Sequence, residues 1–320
     1  VLYPSRDVLF YSADVHSNHI ERQRMDILKK IVERKPLTIV ACLDVLMEKM
    51  IPFEEFKEHC LTIDFESIID TDALKLKISE LGYENSGLVE APGQFGIRGG
   101  IIDIFPLTEE LPVRIELWGD EVDSIRSFDA ESQRSIENLE EISIYPACEL
   151  VLTQTERQEG IKRILKEAEK VSAKLRKEMK TEEAHRTKSA AAQIAEEAGE
   201  LGISAGLDAY LSYFCEDCVS LLEYFNRDNT VIFVDELARS IERGMVTETE
   251  FSESMKQRLE KGYILPGQMR ELFSCKEILA KVEKMACVSL VALDLKNSHV
   301  DIKEKFAIDS KTVNPYNNSF

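Results

Sequence analysis

The chain has 320 residues, 44% of them hydrophobic and 31% charged, an ordinary composition for a globular protein and enough for two domains or one with an insertion. Its net charge of −19 argues against a protein that coats nucleic acid through a basic surface. No run approaches the about 18 apolar residues that read as a membrane span, and the first residues do not resemble a signal peptide. Seven cysteines, an odd number without the spacings of a disulfide framework, predict a reducing, cytoplasmic setting.

Residues 1–62 show the helix, strand, helix order of an α/β layer. After a short apolar run at 8–11, an amphipathic helix with a basic face is predicted over 19–34. Residues 37–42 (LTIVAC) form a continuous apolar run of the kind that is buried in a parallel sheet. Asp44 then precedes a short helix predicted to end near Met50. This segment is too short to close a sheet alone, so we expect it to be the first part of a domain that is truncated at its start.

Residues 63–150 change character and predict an inserted domain. A short helix is predicted over 72–81, ended by Gly82. Three short apolar runs follow between 101 and 125, separated by a proline-bounded acidic loop and by Gly119-Asp120, and a further run closes the segment at 142–146. Short strands joined by glycine, proline and aspartate turns predict a small antiparallel sheet.

Residues 151–296 return to helices and apolar strands. Apolar residues recur every three or four positions among many lysines and glutamates from 154 to 199, which predicts a pair of long helices. Residues 231–236 (VIFVDE) predict a buried parallel strand whose carboxylates, Asp235 and Glu236, emerge at its carboxyl edge, where ligands bind in α/β folds. A last apolar run spans 288–293. Residues 297–320 are polar and predict a linker or the start of another domain.

Two candidate chemical sites have weak sequence support. The run ending in Asp235 and Glu236 is similar to the magnesium strand of P-loop ATPases, but the 320 residues contain no glycine-rich loop ending in Gly-Lys-Ser or Gly-Lys-Thr. We therefore interpret it as a degenerate nucleotide strand. Cys215 and Cys218 are spaced as half of a zinc site or as a redox pair, but no second such pair follows. No metal site is predicted.

The strand predicted at 113–118 (VRIELW) has a conspicuous outer face. Its alternation places valine, isoleucine and leucine on one side and Arg114, Glu116 and Trp118 on the other. A tryptophan beside an arginine on a solvated face is typical of a binding hot spot. Gly99-Gly100, directly after Arg98, is interpreted as a tight bend between strands.

Two structural alternatives stay open for these residues. Arg98 and Arg114 would also be explained by cross-strand salt bridges, with partners among three carboxylates: Asp103, Glu116 and Asp120. In a different strand register, Trp118 would be a core residue.

Residues 93–149 carry a specific family resemblance. The sequences GQFGIRGGIIDIFPL and PVRIELWGDEVDSIRSFDAESQRSIENLEEISIYPACE closely resemble the N-terminal UvrB-homology module of bacterial transcription-repair coupling factors, the Mfd family. Weaker resemblance extends to VLYPSRDVLFYSADVHSNHIERQRMDILKKI on one side and to LDAYLSYFCEDCVSLLEYF and VIFVDE on the other.

This resemblance implies an α/β fold in which a degenerate RecA-like, P-loop-like domain in two sequence halves is interrupted by a small α+β domain that binds the repair protein UvrA. The recruiting surface of the family carries two arginines and an aromatic on adjacent strands, which fall on Arg98, Arg114 and Trp118. Glu116 lies on the same predicted face, where we expect it to hold the patch of Arg98, Arg114 and Trp118 in place. Asn85 and Gly96 stand where UvrB has arginines, and either loss would weaken the contact or shift it.

The resemblance also implies what this segment lacks. The ATP-dependent motor of the family, its RNA polymerase-binding domain and its double-stranded DNA translocase lie C-terminal to it, so ATP and magnesium are expected only there. We predict a non-catalytic module that needs no cofactor, recruits UvrA to stalled RNA polymerase, and contributes to autoinhibition by contacting C-terminal domains of the full protein. The alternative is a UvrB-like ATPase that handles damaged DNA with a nucleotide site of its own.

Overall fold

A computed structural model describes residues 1–6, 18–199, 206–292 and 303–308, and within them the protein is mixed α/β, as predicted. The helices, α1 to α9, are Asn18–Val32, Leu43–Met47, Phe53–Glu58, Thr71–Glu80, Gln154–Lys177, Thr181–Gly199, Leu211–Phe214, Leu237–Glu260 and Cys275–Val282. The strands, β1 to β10, are Leu61–Asp64, Glu84–Asn85, Gln94–Arg98, Ile101–Ile104, Val113–Trp118, Glu121–Phe128, Ser135–Asn138, Glu141–Ile144, Val231–Asp235 and Ala286–Leu290. None of the helices in these ranges is long and apolar enough to cross a bilayer.

A six-stranded sheet in the order β2-β3-β4-β5-β6-β7 dominates the middle of the chain. Strands β3 to β7 pair antiparallel in sequence order, which confirms the predicted antiparallel sheet, and the two-residue β2 adds parallel to β3. Its inner face carries the alternating apolar residues of the strands, which belong to the main hydrophobic core. The other face is left for polar side chains.

The two ends of this middle segment meet. Strand β1 pairs antiparallel with β8, so that Leu61 lies opposite Ile144. The main core contains residues of the sheet, of α1 before it in the chain, and Leu221 and Tyr224 after it. The middle segment and the sequences that flank it therefore share one apolar core. The division of the chain into 1–62, 63–150, 151–296 and 297–320 stays a prediction.

The predicted amphipathic helices are present, with ends that follow the expected capping chemistry. Helix α4 begins after Asp70, whose carboxylate accepts two backbone N–H bonds, and the chain leaves it through Gly82 at a φ of +88°. Helix α5 begins with a capping box between Thr153 and Glu156. It packs against α6 as the predicted long pair.

Helix α1 has the predicted apolar face, but its basic face is not fully solvated. Arg24 is only 1% exposed and binds the carboxylates of both Glu149 and Glu48, with 2.8 Å between its Nη2 and Glu48 Oε2. Its guanidinium also lies 4.6 Å from the centre of the Tyr3 ring, and Arg6 binds Glu149 as well. This buried cluster joins the start of the chain, α1 and the end of the inserted segment.

Two predicted strands differ from the structure. Residues 37–42 are not a strand: Val40 makes a single parallel bridge to Leu2 and is 61% exposed, so the prediction of a buried strand there is wrong. Strand β9 does pair in parallel with β10, but it is not buried, since Phe233 is 67% exposed. Continuous apolar runs predict a buried strand only if other layers cover both faces, and within the described residues these layers are lacking. The predicted run at 8–11 lies outside the described residues.

Candidate functional site on the outer face of the sheet

The polar side chains of the six-stranded sheet lie together on its outer face. The strand registers place Arg98 opposite Ile101, Asp103 opposite Arg114, and Glu116 opposite Ser124. Facing residues point to the same side of a sheet. We define the charged face by seven residues of β3, β4, β5 and β6: Arg98, Asp103, Arg114, Glu116, Trp118, Ser124 and Arg126.

Asp103 lies at the centre of the charged face and is only 1% exposed. Its Oδ1 accepts from Arg114 Nε at 2.6 Å, and its Oδ2 accepts from Arg114 Nη2 and from Arg98 Nη2, both at 2.9 Å. The cross-strand salt bridges that were one explanation for Arg98 and Arg114 therefore form, and Asp103 is the carboxylate that both arginines bind. The resemblance implied that the two arginines lie on adjacent strands, but here β4 lies between β3 and β5 and supplies the shared partner.

Arg114 is held on several sides. Besides its two bonds to Asp103, it donates to Gln133 Oε1 at 3.0 Å, and its guanidinium lies 4.6 Å from the centre of the Phe128 ring. The amide of Gln133 is itself fixed by bonds to the carbonyls of Val89 and Ala130. The hydrogen bond to Asp103 raises the pKa of Arg114 above its ordinary value. A bidentate, stacked arginine is a rigid cation.

Arg98 and Trp118 occupy the exposed end of the charged face. Each directly precedes a two-residue hairpin turn, at Gly99-Gly100 and Gly119-Asp120, and the first glycine of each turn has a positive φ. Both turns lie at the same end of the sheet, with two strand spacings, about 10 Å, between the strands. Arg98 is 52% exposed and Trp118 is 82% exposed, so the alternative of a core tryptophan is wrong.

Glu116 has its ion pair with an arginine other than Arg98 and Arg114. It forms an ion pair with Arg126 and accepts from Ser124 Oγ at 3.1 Å. Arg126 is a third arginine of the charged face that the sequence interpretation missed. No alternation signalled it, because the apolar residues of β6 stand at 122, 125 and 128 and not at every second position. The contact between Arg114 and Gln133 was also without a sequence signal, because Gln133 lies in a loop.

Asn85 and Gly96, the two positions at which the resemblance to UvrB implies arginines, differ in their surroundings. A Cβ at Gly96 would lie 2.6 Å from the backbone oxygen of Ser86, so the backbone leaves no room for a side chain there. Asn85, in the edge strand β2, is exposed. An arginine is thus excluded sterically at 96 but not at 85.

We expect Gly96→Arg to lower the free energy of unfolding by about 1–3 kcal/mol, because the 86–89 segment must move to admit the side chain. Asn85→Arg, the matched control on the neighbouring strand, is expected to stay within about 0.5 kcal/mol of the unaltered chain. Urea unfolding of the three proteins measures both effects. Equal midpoints for Gly96→Arg and the unaltered chain would contradict the steric argument.

Asp235 and Glu236 have structural roles at the end of β9. Glu236 adopts a left-handed φ of +49°, its N–H donates to the Leu290 carbonyl at 2.8 Å, and its Oε1 accepts from the Ala292 N–H at 2.9 Å. The Asp235 carbonyl accepts from Ser240 Oγ at 3.2 Å. These bonds join the strand end to α8 and β10.

The seven cysteines have free thiols, and Cys218 Sγ donates to the Cys215 carbonyl at 3.4 Å. Within the described ranges no three His, Cys, Asp or Glu side chains lie close enough together to hold a metal ion. Cys215 and Cys218 are therefore not completed into a zinc site by described residues.

Comparison with known families identifies the sheet. Residues 61–150, from β1 to just beyond β8, match the family described as the UvrB interaction domain. The predicted resemblance to the UvrB-homology module is thereby confirmed, with the match to the UvrB interaction domain falling on these residues.

The wider chain is similar to transcription-repair coupling factors. It is 37% identical to the transcription-repair-coupling factor of Bacillus subtilis over 284 residues, which is 89% of this chain and 24% of that protein. It is 32% identical to the Staphylococcus haemolyticus protein of the same name over 83% of this chain and 22% of that protein. It is 29% identical to UvrABC system protein B of Thermosipho africanus over 98% of this chain and 48% of that protein. The chain thus spans about a quarter of the coupling factors that it matches and about half of the UvrB protein.

Proposed function

We propose that this chain recruits UvrA through the charged face of its UvrB interaction domain. The observation that carries the proposal is the exposure of Trp118 and Arg98 at one end of a rigid sheet, next to the fixed cation of Arg114. Tryptophan and arginine are the residues most enriched in binding hot spots. An exposed tryptophan serves no purpose in the packing of the sheet, because the core lies on the other face.

The charge of this face supports the same conclusion. Three guanidinium groups face two carboxylates there, with Glu121 opposite Trp118 as a third at the edge, so the arginines are concentrated at the centre of the face on a chain with a net charge of −19. A local patch of arginines and an aromatic side chain on an acidic protein indicates binding to one specific partner, because the net negative charge opposes non-specific binding to polyanions. The roles of Arg98, Arg114, Glu116 and Trp118 in this contact remain part of the proposal.

The similarity to coupling factors supports a wider proposal. The chain would act in nucleotide excision repair coupled to transcription, in the cytoplasm, as one part of a longer protein whose other domains bind RNA polymerase and double-stranded DNA. Packing of those domains against the charged face would make the module autoinhibitory. The segments flanking the sheet would form the degenerate RecA-like domain. We further propose that the chain neither binds nor hydrolyses ATP, because its sequence has no phosphate loop.

Calorimetry with purified UvrA tests the recruitment proposal. We expect the unaltered chain to bind and Arg98→Ala to weaken the affinity by about 2 kcal/mol, roughly 30-fold, as truncation of a hot-spot arginine does. Arg98 suits this test better than Arg114, whose loss would remove the bidentate partner of the buried Asp103.

The matched control is Arg239→Ala, which removes another exposed arginine at the start of α8, away from the sheet. It should leave the affinity within a factor of two of the unaltered chain. If Arg98→Ala and Arg239→Ala bind UvrA equally well, the charged face is not the docking site.

A further inference from the structure

We propose that Asp103 is a positioning residue for partner binding: it fixes Arg114 as a platform and presents Arg98 so that this guanidinium takes a second carboxylate from the partner. The inference rests on the proposed function, since it concerns how the same face would engage UvrA. Arg98 and Arg114 share the Asp103 carboxylate unequally.

Arg114 makes more bonds to Asp103 than Arg98 does, and it is held more firmly. Arg114 engages both oxygens, through Nε and Nη2, whereas Arg98 uses one nitrogen on Oδ2, which Arg114 also occupies. Arg114 is mostly buried and has further support from Gln133 and Phe128. Arg98 is half exposed and, among the contacts of the described residues, has Asp103 as its one ion-pair partner. Arg98 is therefore the arginine that can take a further carboxylate while one of its five donors stays on Asp103.

Charge balance indicates what the new partner group is. One buried carboxylate faces two guanidinium groups, so the cluster carries one excess positive charge. Both arginines keep their bonds to Asp103 when Arg98 takes the second carboxylate, so no buried charge is left unpaired. A guanidinium has five donors in a planar fork that fits a carboxylate. The partner surface that fits here has an Asp or Glu side chain opposite Arg98, about 10 Å from an apolar pocket for Trp118.

Asp103→Asn is the direct test, because it removes the negative charge and nearly preserves the shape. We expect the affinity for UvrA to fall about tenfold, since hydrogen bonds to charged groups contribute on the order of one factor of ten each. Thermal unfolding and circular dichroism establish whether the variant is folded. Unchanged affinity in a folded Asp103→Asn protein would overturn the inference.

A double-mutant cycle separates positioning from a merely structural role. If Asp103 acts through Arg98, Asp103→Asn should weaken binding by a clearly smaller factor in the Arg98→Ala background, with a coupling of about threefold or more. Additive losses would mean that Asp103 acts elsewhere, and the inference would be wrong.

Arg98→Lys keeps the test decisive if Asp103→Asn does not fold. This exposed substitution retains the charge but lacks the fork, so it is expected to recover little of the affinity lost in Arg98→Ala. A lysine variant that binds UvrA as the unaltered chain does would overturn the proposal. An amide scan of UvrA, replacing each surface Asp by Asn and each Glu by Gln, should find one carboxylate whose loss is not additive with Arg98→Ala; finding none would also overturn it.

These outcomes are distinguishable from failure of the proposed function. If the unaltered chain does not bind UvrA, recruitment fails and the inference fails with it. If the unaltered chain binds, Arg98→Ala weakens binding and folded Asp103→Asn does not, recruitment stands and only the role of Asp103 is wrong.

Discussion

Replacing Glu149 with glutamine is expected to lower the free energy of unfolding by about 3 kcal/mol, because it removes one carboxylate charge from a buried cluster and leaves Arg24 with Glu48 as its remaining ion-pair partner there. Arg24 is 1% exposed and donates to both oxygens of Glu149, one of these bonds being 3.0 Å long. Arg6 binds the same carboxylate. Urea unfolding of the variant and the unaltered chain at neutral pH measures the loss.

The control for this substitution lies on α1, the helix that carries Arg24. Asp26 pairs with Lys30 one turn away, and both side chains are partly exposed. Asp26→Asn should cost about 0.5 kcal/mol or less, as exposed pairs of this spacing do. Comparable losses for the two variants would show that the buried cluster does not anchor the fold.

The free energy of unfolding measured at acidic pH should also depend on Glu149. Burial by itself would raise the pKa of Glu149, but the charges of Arg24 and Arg6 lower it from the ordinary 4.5 to about 2. Its contribution is therefore complete above pH 4.5 and is lost as the pH falls towards 2, a loss of roughly 3 kcal/mol. Glu48 acts in the opposite sense, because burial raises its pKa despite Arg24.

The difference between the two pH profiles isolates Glu149 from the other carboxylates. The unaltered chain should lose its advantage over Glu149→Gln between pH 4.5 and 2. Parallel profiles across this range would contradict the assignment of the low pKa to Glu149.

Trp118→Ala is expected to weaken UvrA binding by about 2 kcal/mol or more while leaving the free energy of unfolding within about 0.5 kcal/mol. The side chain is 82% exposed, so folding gains little from it, whereas a partner pocket that buries it would gain a large apolar area. Calorimetry with UvrA and urea unfolding of the same preparation measure the two quantities.

Phe233→Ala is the matched control for the tryptophan. Phe233 is 67% exposed on β9, outside the charged face, and its loss should not change UvrA affinity. A Trp118→Ala protein that binds normally, or one that unfolds at much lower urea, would contradict the assignment of Trp118 to a docking surface.

Much of the local structure was predictable because backbone geometry alone sets it. Apolar residues at helical spacing predicted α1, α4, α5 and α6, and short apolar runs separated by glycine and proline turns predicted β4, β5 and β6. Alternation within β5 predicted an outer position for Arg114 and Trp118, although a core Trp118 in another register stayed open. The resemblance over 93–149 added the class of domain, which composition and periodicity do not contain.

Other features depend on long-range pairing, which local patterns do not encode. Sequence left three candidate carboxylates for the two arginines, and the register of β3, β4 and β5 selected Asp103. Arg24 on a nominally basic helix face is buried because Glu149, from another part of the chain, meets it there.

Two apolar runs also show that a local pattern does not determine burial. Residues 37–42 and β9 have the composition of buried strands, yet burial requires neighbouring layers that a run of hydrophobic residues cannot specify. Sequence by itself thus determined the long helices, the strands between 101 and 125 and the family resemblance of the sheet, but it left the position of Trp118 open between two registers. Only the tertiary structure decided which charges meet, because cross-strand partners follow from strand order and register.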